Sequence, residues 1–239
     1  MRLCINIDHI ATLRNARGGD QPDPLDAARI VEQAGADGIV CHLREDRRHM
    51  NDRDVRLLRE TVTTKLDLEM AATPEIVKIA RSIVPNLVTL VPEKRKELTT
   101  EGGLDVIRLK RSLRSTIRQF HEKGIPVSLF IDPIRAQIET AKDIDADMIE
   151  IHTGEYANAS TPIRRRHHLS RIKEMAVLGK KLGMTVNAGH GLDYDNVHPI
   201  ASIMDIEEVS IGHAVIVRAV VVGLEKAVRE MVRLVRGKN

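Results

Sequence analysis

Short runs rich in β-branched and aliphatic residues alternate with amphipathic helical stretches from one end of the chain to the other, and this rhythm narrows the possible folds more than any other feature. Eight runs stand out: Leu3 to Ile7, Gly38 to Leu43, Leu66 to Met70, Leu87 to Val91, Pro126 to Ile131, Met148 to His152, Thr185 to Ala188 and Glu208 to Ile211. Over 239 residues they recur about every 30, the length of one strand-helix crossover. Gly35, Gly38, Gly124 and Gly183 fall between a helical stretch and the next strand, where a helix C-cap belongs. Asp23-Pro24, Thr73-Pro74 and Asp132-Pro133 each set a capping side chain before a proline at the first helical position. Nothing interrupts the rhythm, so one domain spanning 1–239 is expected, an α/β fold of the (β/α)8 TIM-barrel type. An open doubly wound sheet is the alternative, disfavoured because no Gly-x-Gly-x-x-Gly follows the first strand.

Nearly every one of these strands ends in a polar or ionisable side chain. Asn6, Asp8 and His9 close the first, His42 the second, Glu69 the third, Glu150 and His152 the sixth, Asn187 and His190 the seventh, and Ser210 and His213 the last. Carboxylates and imidazoles at the C-terminal ends of successive parallel strands are where such a barrel keeps its chemistry, which points to an enzyme.

With 42% apolar residues but only 2% aromatic, the core is expected to be aliphatic. The net charge of +3 is modest, and the two Tyr and two Phe are not interleaved with basic runs, so a base-stacking nucleic-acid surface is not expected. No apolar stretch approaches the roughly 20 residues of a membrane span, and the start leads straight into a strand. A cytoplasmic location with no membrane partner is the expectation. Cys4 and Cys41 lie within strands and read as buried, reduced thiols.

The loops after the first, second and fourth strands are long and charged. Pro92 to Gly103, with Lys94, Arg95, Lys96, Thr99 and the pair Gly102-Gly103, reads either as a lid or as a solvated charged loop. Gly189-His190-Gly191 after the seventh strand and Gly212-His213 after the eighth occupy the positions where barrels of this type commonly bind phosphate. His42 and Glu69 end neighbouring strands and could meet as an acid-base pair or as a structural ion pair. Glu150 and His152, two apart on one strand, share a face. A metal site remains an alternative use of such residues, although the usual ligand spacings are missing. No nucleophile elbow, P-loop or strand-end Schiff-base lysine is present.

Taken together, Asn6 to Arg17, His42 to His49, Leu68 to Ala71, Val91 to Arg95, Thr99 to Asp105, Glu150 to Gly154, Val186 to Leu192 and Ile211 to Ala214 resemble the pyridoxine 5'-phosphate synthase family end to end. The resemblance implies a synthase of the transferase class that condenses 1-deoxy-D-xylulose 5-phosphate with 3-amino-2-oxopropyl phosphate in vitamin B6 biosynthesis. It also implies no metal or organic cofactor, and assembly of dimers into a homo-octamer. By the same resemblance Asn6, Arg17, Gly191, Gly212 and His213 contact the amino-ketone phosphate, and Asp8, His9, Arg44, His49 and Thr99 the deoxyxylulose phosphate. His42 and Glu69 correspond to proton acceptors, His190 to a proton donor, and Glu150 to a residue that stabilises the transition state. Another phospho-sugar isomerase, aldolase or hydrolase, or a non-catalytic phospho-ligand binder, would use the same fold.

Overall fold

In the computed structural model, which describes residues 1–93 and 102–237, all eight runs become parallel strands. They are β1 (Arg2–Asn6), β2 (Gly38–His42), β3 (Leu66–Met70), β4 (Leu87–Leu90), β5 (Val127–Ile131), β6 (Met148–His152), β7 (Thr185–Gly189) and β8 (Glu208–Ile211). They pair in sequence order, and β8 returns to β1 to close the barrel. The helices are α1 (Asp8–Arg17), α2 (Pro24–Gln33), α3 (Asp52–Thr61), α4 (Pro74–Ile83), α5 (Lys110–His121) and α6 (Arg135–Asp143). They continue with α7 (Gly154–Ala157), α8 (Pro162–Lys181), α9 (Val197–Ala201), α10 (His213–Val222) and α11 (Leu224–Val235). The expected TIM barrel is therefore the observed architecture.

The two-residue period of a strand decides what each side chain meets. Leu66, Leu68 and Met70 of β3, Leu129 and Ile131 of β5, and Ile149 and Ile151 of β6 join the apolar cluster between sheet and helices. The residues that alternate with such positions, Asp67, Thr89, Ser128, Glu150, Asn187 and Glu208, are buried as well and fill the inside of the barrel. Val40 and Leu87, in register with Asp67, join these polar groups inside, so the core is aliphatic throughout only outside the sheet. Composition counts side chains and does not say which face of a strand each one takes. Inside, Lys65 donates to Glu208 at 2.5 Å, and the Thr89 hydroxyl donates to Asp67 at 2.9 Å. Loss of hydration pushes the Asp67 carboxyl up to about 6 and that of Glu150 up to about 8.

Local signals were met unevenly. Asp23 caps α2 by accepting from the Leu25 N–H at 2.9 Å, whereas Thr73 makes no capping bond. Asp132 does not cap a helix at Pro133: α6 starts at Arg135 and the carboxylate is used elsewhere. Gly38 is a strand residue, not a C-cap, placed where a Cβ would stand 2.7 Å from the Cys4 sulfur. The C-terminal stretch, whose sequence reads as one helix from Ala214 to Arg236, is two helices broken at Gly223, whose φ of 87° leaves the helical region. Cys4 and Cys41 are free and buried, as read.

One buried tie holds the loop after β2 to the barrel mouth. Arg14 of α1 binds Asp54 of α3 through two hydrogen bonds of 2.8 Å, both side chains being buried. Asp54 also completes a capping box with Asn51 at the start of α3. Asn15, beside Arg14, donates to the His49 carbonyl at 2.8 Å. Helix α1 thereby fixes the segment that carries Arg44 and His49.

Candidate active site

His42 and Glu69, the two expected proton acceptors, meet at the ends of β2 and β3, beside Asn6 and Asp8 at the end of β1. His42 lies in register with Glu69, and its Nδ1 is 3.9 Å from Glu69 Oε2, beyond hydrogen-bonding range. Asn6 donates from Nδ2 to Asp8 at 2.9 Å and to Glu69 at 3.4 Å, while its own Oδ1 accepts the Asp8 N–H. The other Asp8 oxygen accepts the His42 backbone N–H at 2.8 Å. Burial, with the charges of Glu150 and Asp8 adding to it, pushes the Glu69 carboxyl well above its usual range. Asp8, His42 and Glu69 each offer a ligand atom within 4.8 Å of the others, a donor set that could also hold a cation.

Two carboxylates outside the expected set bind the histidines of this mouth. Glu93, just beyond β4, lies 2.7 Å from His42 Nε2 through Oε1, and its side chain is only 5% exposed. It also accepts the backbone N–H groups of Ala71 at 3.2 Å and Glu45 at 3.1 Å. Burial works against its charge, but the hydrogen bonds from His42 and Glu45 prevail and hold its pKa below the ordinary value. Asp132, the residue after β5, lies 2.9 Å from His152 Nδ1 and accepts the Gly103 N–H at 3.0 Å. The bond to His152 keeps the Asp132 carboxyl low. In the sequence Glu93 was masked by the basic run that follows it, and Asp132 by the proline that made it look like a cap.

His152 carries this second pair toward His190. Its ring packs 5.1 Å from Phe130 and 5.1 Å from His190, centroid to centroid. Burial, reinforced by His152, lowers the His190 imidazole to about 4, so it is neutral near pH 7. His190 and Gly191 have consecutive left-handed φ values of 79° and 77°. That geometry costs a non-glycine residue of order 1 kcal/mol and persists only where the surroundings impose it. Here Thr153 Oγ1 donates to the Gly189 and His190 carbonyls, and Asn196 Nδ2 to that of Gly191. Glu150 is buried inside the barrel beneath this turn.

The expected phosphate contacts divide by position. Gly212 precedes α10 directly against Asn6 and leaves the helix N-terminus without a side-chain cap, a start that favours an anion. His213 lies 5.1 Å from His9, and His9 lies 6.2 Å from His49, ring to ring. His9 Nδ1 and His49 Nδ1 are buried atoms with no hydrogen-bond partner among the described residues. Burial lowers the pKa of both, and a phosphate beside them would reverse that shift. Arg44 is buried and, with Glu45, Asp46 and Glu93, lines a cavity of about 320 Å³. Arg17 ends α1 exposed, its side chain making no hydrogen bond or ion pair among the described residues. Thr99 and most of the expected lid fall outside the described residues.

A barrel mouth with neutral histidines, high-pKa carboxylates and an uncapped helix start suits proton transfer on phosphorylated substrates, and comparison with known proteins supplies the family. The profile of the pyridoxal phosphate biosynthesis protein PdxJ matches residues 3–237. The chain belongs to the PdxJ family. A pyridoxine 5'-phosphate synthase of Pelodictyon phaeoclathratiforme is 57% identical over 236 residues, covering 99% of this chain and 100% of the relative. One from Syntrophobacter fumaroxidans is 56% identical, with 99% of each covered. Among solved structures, a phosphoribosyl anthranilate isomerase from Thermus thermophilus superposes with a TM-score of 0.61 at 13% identity, covering 100% of both chains. A 4-hydroxy-2-oxoglutarate aldolase gives 0.66 at 14%, covering 98% of this chain and 94% of the other. At such identities these two share the PdxJ chain's fold alone.

Proposed function

We propose that this chain is a pyridoxine 5'-phosphate synthase, condensing 1-deoxy-D-xylulose 5-phosphate with 3-amino-2-oxopropyl phosphate to give pyridoxine 5'-phosphate, phosphate and water. The observation that carries this reading is 57% identity over essentially the full length of a synthase of that name. In the condensation an amine attacks a ketone, protons leave carbon to form an enamine, phosphate is eliminated, water adds, and the ring closes and loses water. Each step moves a proton, so several groups of distinct pKa are needed at one mouth.

The residues divide that work. The substrate amine arrives as an ammonium, and its positive charge beside Glu69 favours the ionised carboxylate that burial had suppressed. Glu69 or His42 can then take the ammonium proton and leave a nucleophilic amine. Glu150, with its pKa of about 8, enters the cycle protonated and stabilises charge developing on oxygen by donating. His190, neutral at first, returns protons after taking one, with His152 packed against its ring. Gly191, Gly212 and His213 hold the amino-ketone phosphate together with Asn6 and Arg17. Arg44, His9, His49 and Asp8, joined by Thr99, hold the deoxyxylulose phosphate. Two anchored phosphates make the first bond-forming step effectively unimolecular.

The finer setting is a homo-octamer of dimers in the cytoplasm. Support for assembly comes from α10, where Val217, Val220 and Val221 are 53%, 76% and 78% exposed. Two free buried thiols fit a reducing compartment, and no helix among the described residues is long and apolar enough to cross a membrane.

Mixing purified protein with both substrates and following phosphate release together with pyridinol absorbance tests the reading. Both signals are expected to rise only when both substrates are present, and to survive dialysis against EDTA. Phosphate release from one substrate alone, or activity lost to EDTA and restored by a metal, would transfer the Asp8, His42 and Glu69 set to a hydrolase.

A further inference from the structure

We propose that Glu93 is a positioning residue that fixes the tautomer of His42, holding the proton on Nε2 so that Nδ1 is the nitrogen that accepts protons from substrate. The inference rests on the condensation chemistry proposed above for what those protons are, but its geometry stands without it. Glu93 Oε1 lies 2.7 Å from His42 Nε2, while Nδ1 faces Glu69 at 3.9 Å and makes no hydrogen bond among the described residues. A carboxylate accepts hydrogen bonds and does not donate them, so the Nε2 side of this contact supplies the proton. A neutral imidazole carries one proton, which leaves the Nδ1 lone pair bare toward Glu69.

The carboxylate itself is held in place. The N–H groups of Ala71 and Glu45 bind it from the ends of two other barrel segments, at 3.2 and 3.1 Å, and the Asp8 carboxylate fixes the His42 main chain from the opposite side at 2.8 Å. The tautomer is thus set by Glu93, which need touch no substrate to do so. When Nδ1 takes a substrate proton, the imidazolium that forms lies against the Glu93 carboxylate, which lowers the energy of the charged state without itself becoming protonated.

The test combines imidazole nitrogen NMR with steady-state kinetics. In protein labelled with [15N]histidine, the His42 signals are assigned by difference from His42→Gln. The unaltered protein is expected to show protonated Nε2 and bare Nδ1. In Glu93→Gln the side-chain amide can donate to Nε2, and the His42 signals are expected to shift toward the opposite tautomer. With it kcat should fall roughly 10- to 100-fold, while KM for each substrate stays within about threefold, the mark of an interaction realised in the transition state. An opposite or evenly mixed tautomer in the unaltered protein overturns the proposal even if the variant fails to fold. So does a Glu93→Gln protein that folds with unchanged His42 shifts and kcat. The nitrogen spectrum is read without substrate, so it decides this inference separately from whether the unaltered protein carries out the condensation.

Discussion

Gly189 and Glu150 compete for one space inside the barrel: a Cβ at position 189 would collide with the Glu150 carboxylate oxygen Oε1. Strands β6 and β7 lie side by side there, so the carboxylate reaches across to cover the glycine. Gly189→Ala should therefore overpack the site and cost about 1–3 kcal/mol in urea denaturation. Removing the obstruction in Gly189→Ala/Glu150→Ala should recover stability without recovering turnover. Equal urea midpoints for Gly189→Ala and the parent would show that the two residues do not contend for this space.

The raised pKa of Glu150 predicts a pH dependence with a definite sign. The folded protein holds this proton up to about pH 8, whereas an unfolded Glu releases it near 4.3. The resulting stabilisation is fully present below about pH 4 and is lost as pH rises toward 8. Glu150→Gln stays neutral throughout, so its melting temperature should gain on the parent's across roughly pH 5 to 8 and keep a constant lead above that. A gap that stays flat across the window means Glu150 ionises normally inside the barrel.

On the outside of α10, Val220→Asp or Val221→Lys should dissolve the proposed subunit contact, because each puts a charge into a face that is apolar and exposed in the single chain. Light scattering at micromolar concentration is expected to give a multiple of 26.7 kDa for the parent and a smaller multiple for the variants. A parent already at the mass of one chain excludes the octamer.

Much of this was legible in the sequence because parallel strands buried on both faces read as short apolar runs, and their ends carry polar residues. The limits of β3, β6 and β8 matched the reading, and the other strands shifted by a residue or so at one end or both. The barrel interior was less legible, since Asp67, Thr89 and Glu208 look like isolated polar residues until the sheet closes around them. Asp132-Pro133 carried a sound capping signal, but the tertiary bond to His152 outcompeted the helix start. Glu93 had no local pattern at all: its meaning comes from His42, 51 residues away.

Steady-state kinetics of Glu69→Gln beside Arg44→Ala tests the account most directly. Glu69 is proposed to move protons and Arg44 to anchor phosphate, so the two variants should fail differently. Glu69→Gln should bind both substrates within a few-fold of the parent and lose about 100- to 10,000-fold in kcat. Arg44→Ala should chiefly raise KM for 1-deoxy-D-xylulose 5-phosphate, because its contact acts in ground and transition state alike. With folding verified by circular dichroism, a Glu69→Gln enzyme that forms pyridoxine 5'-phosphate at near-parental kcat would contradict the proposed acid-base chemistry of the barrel mouth.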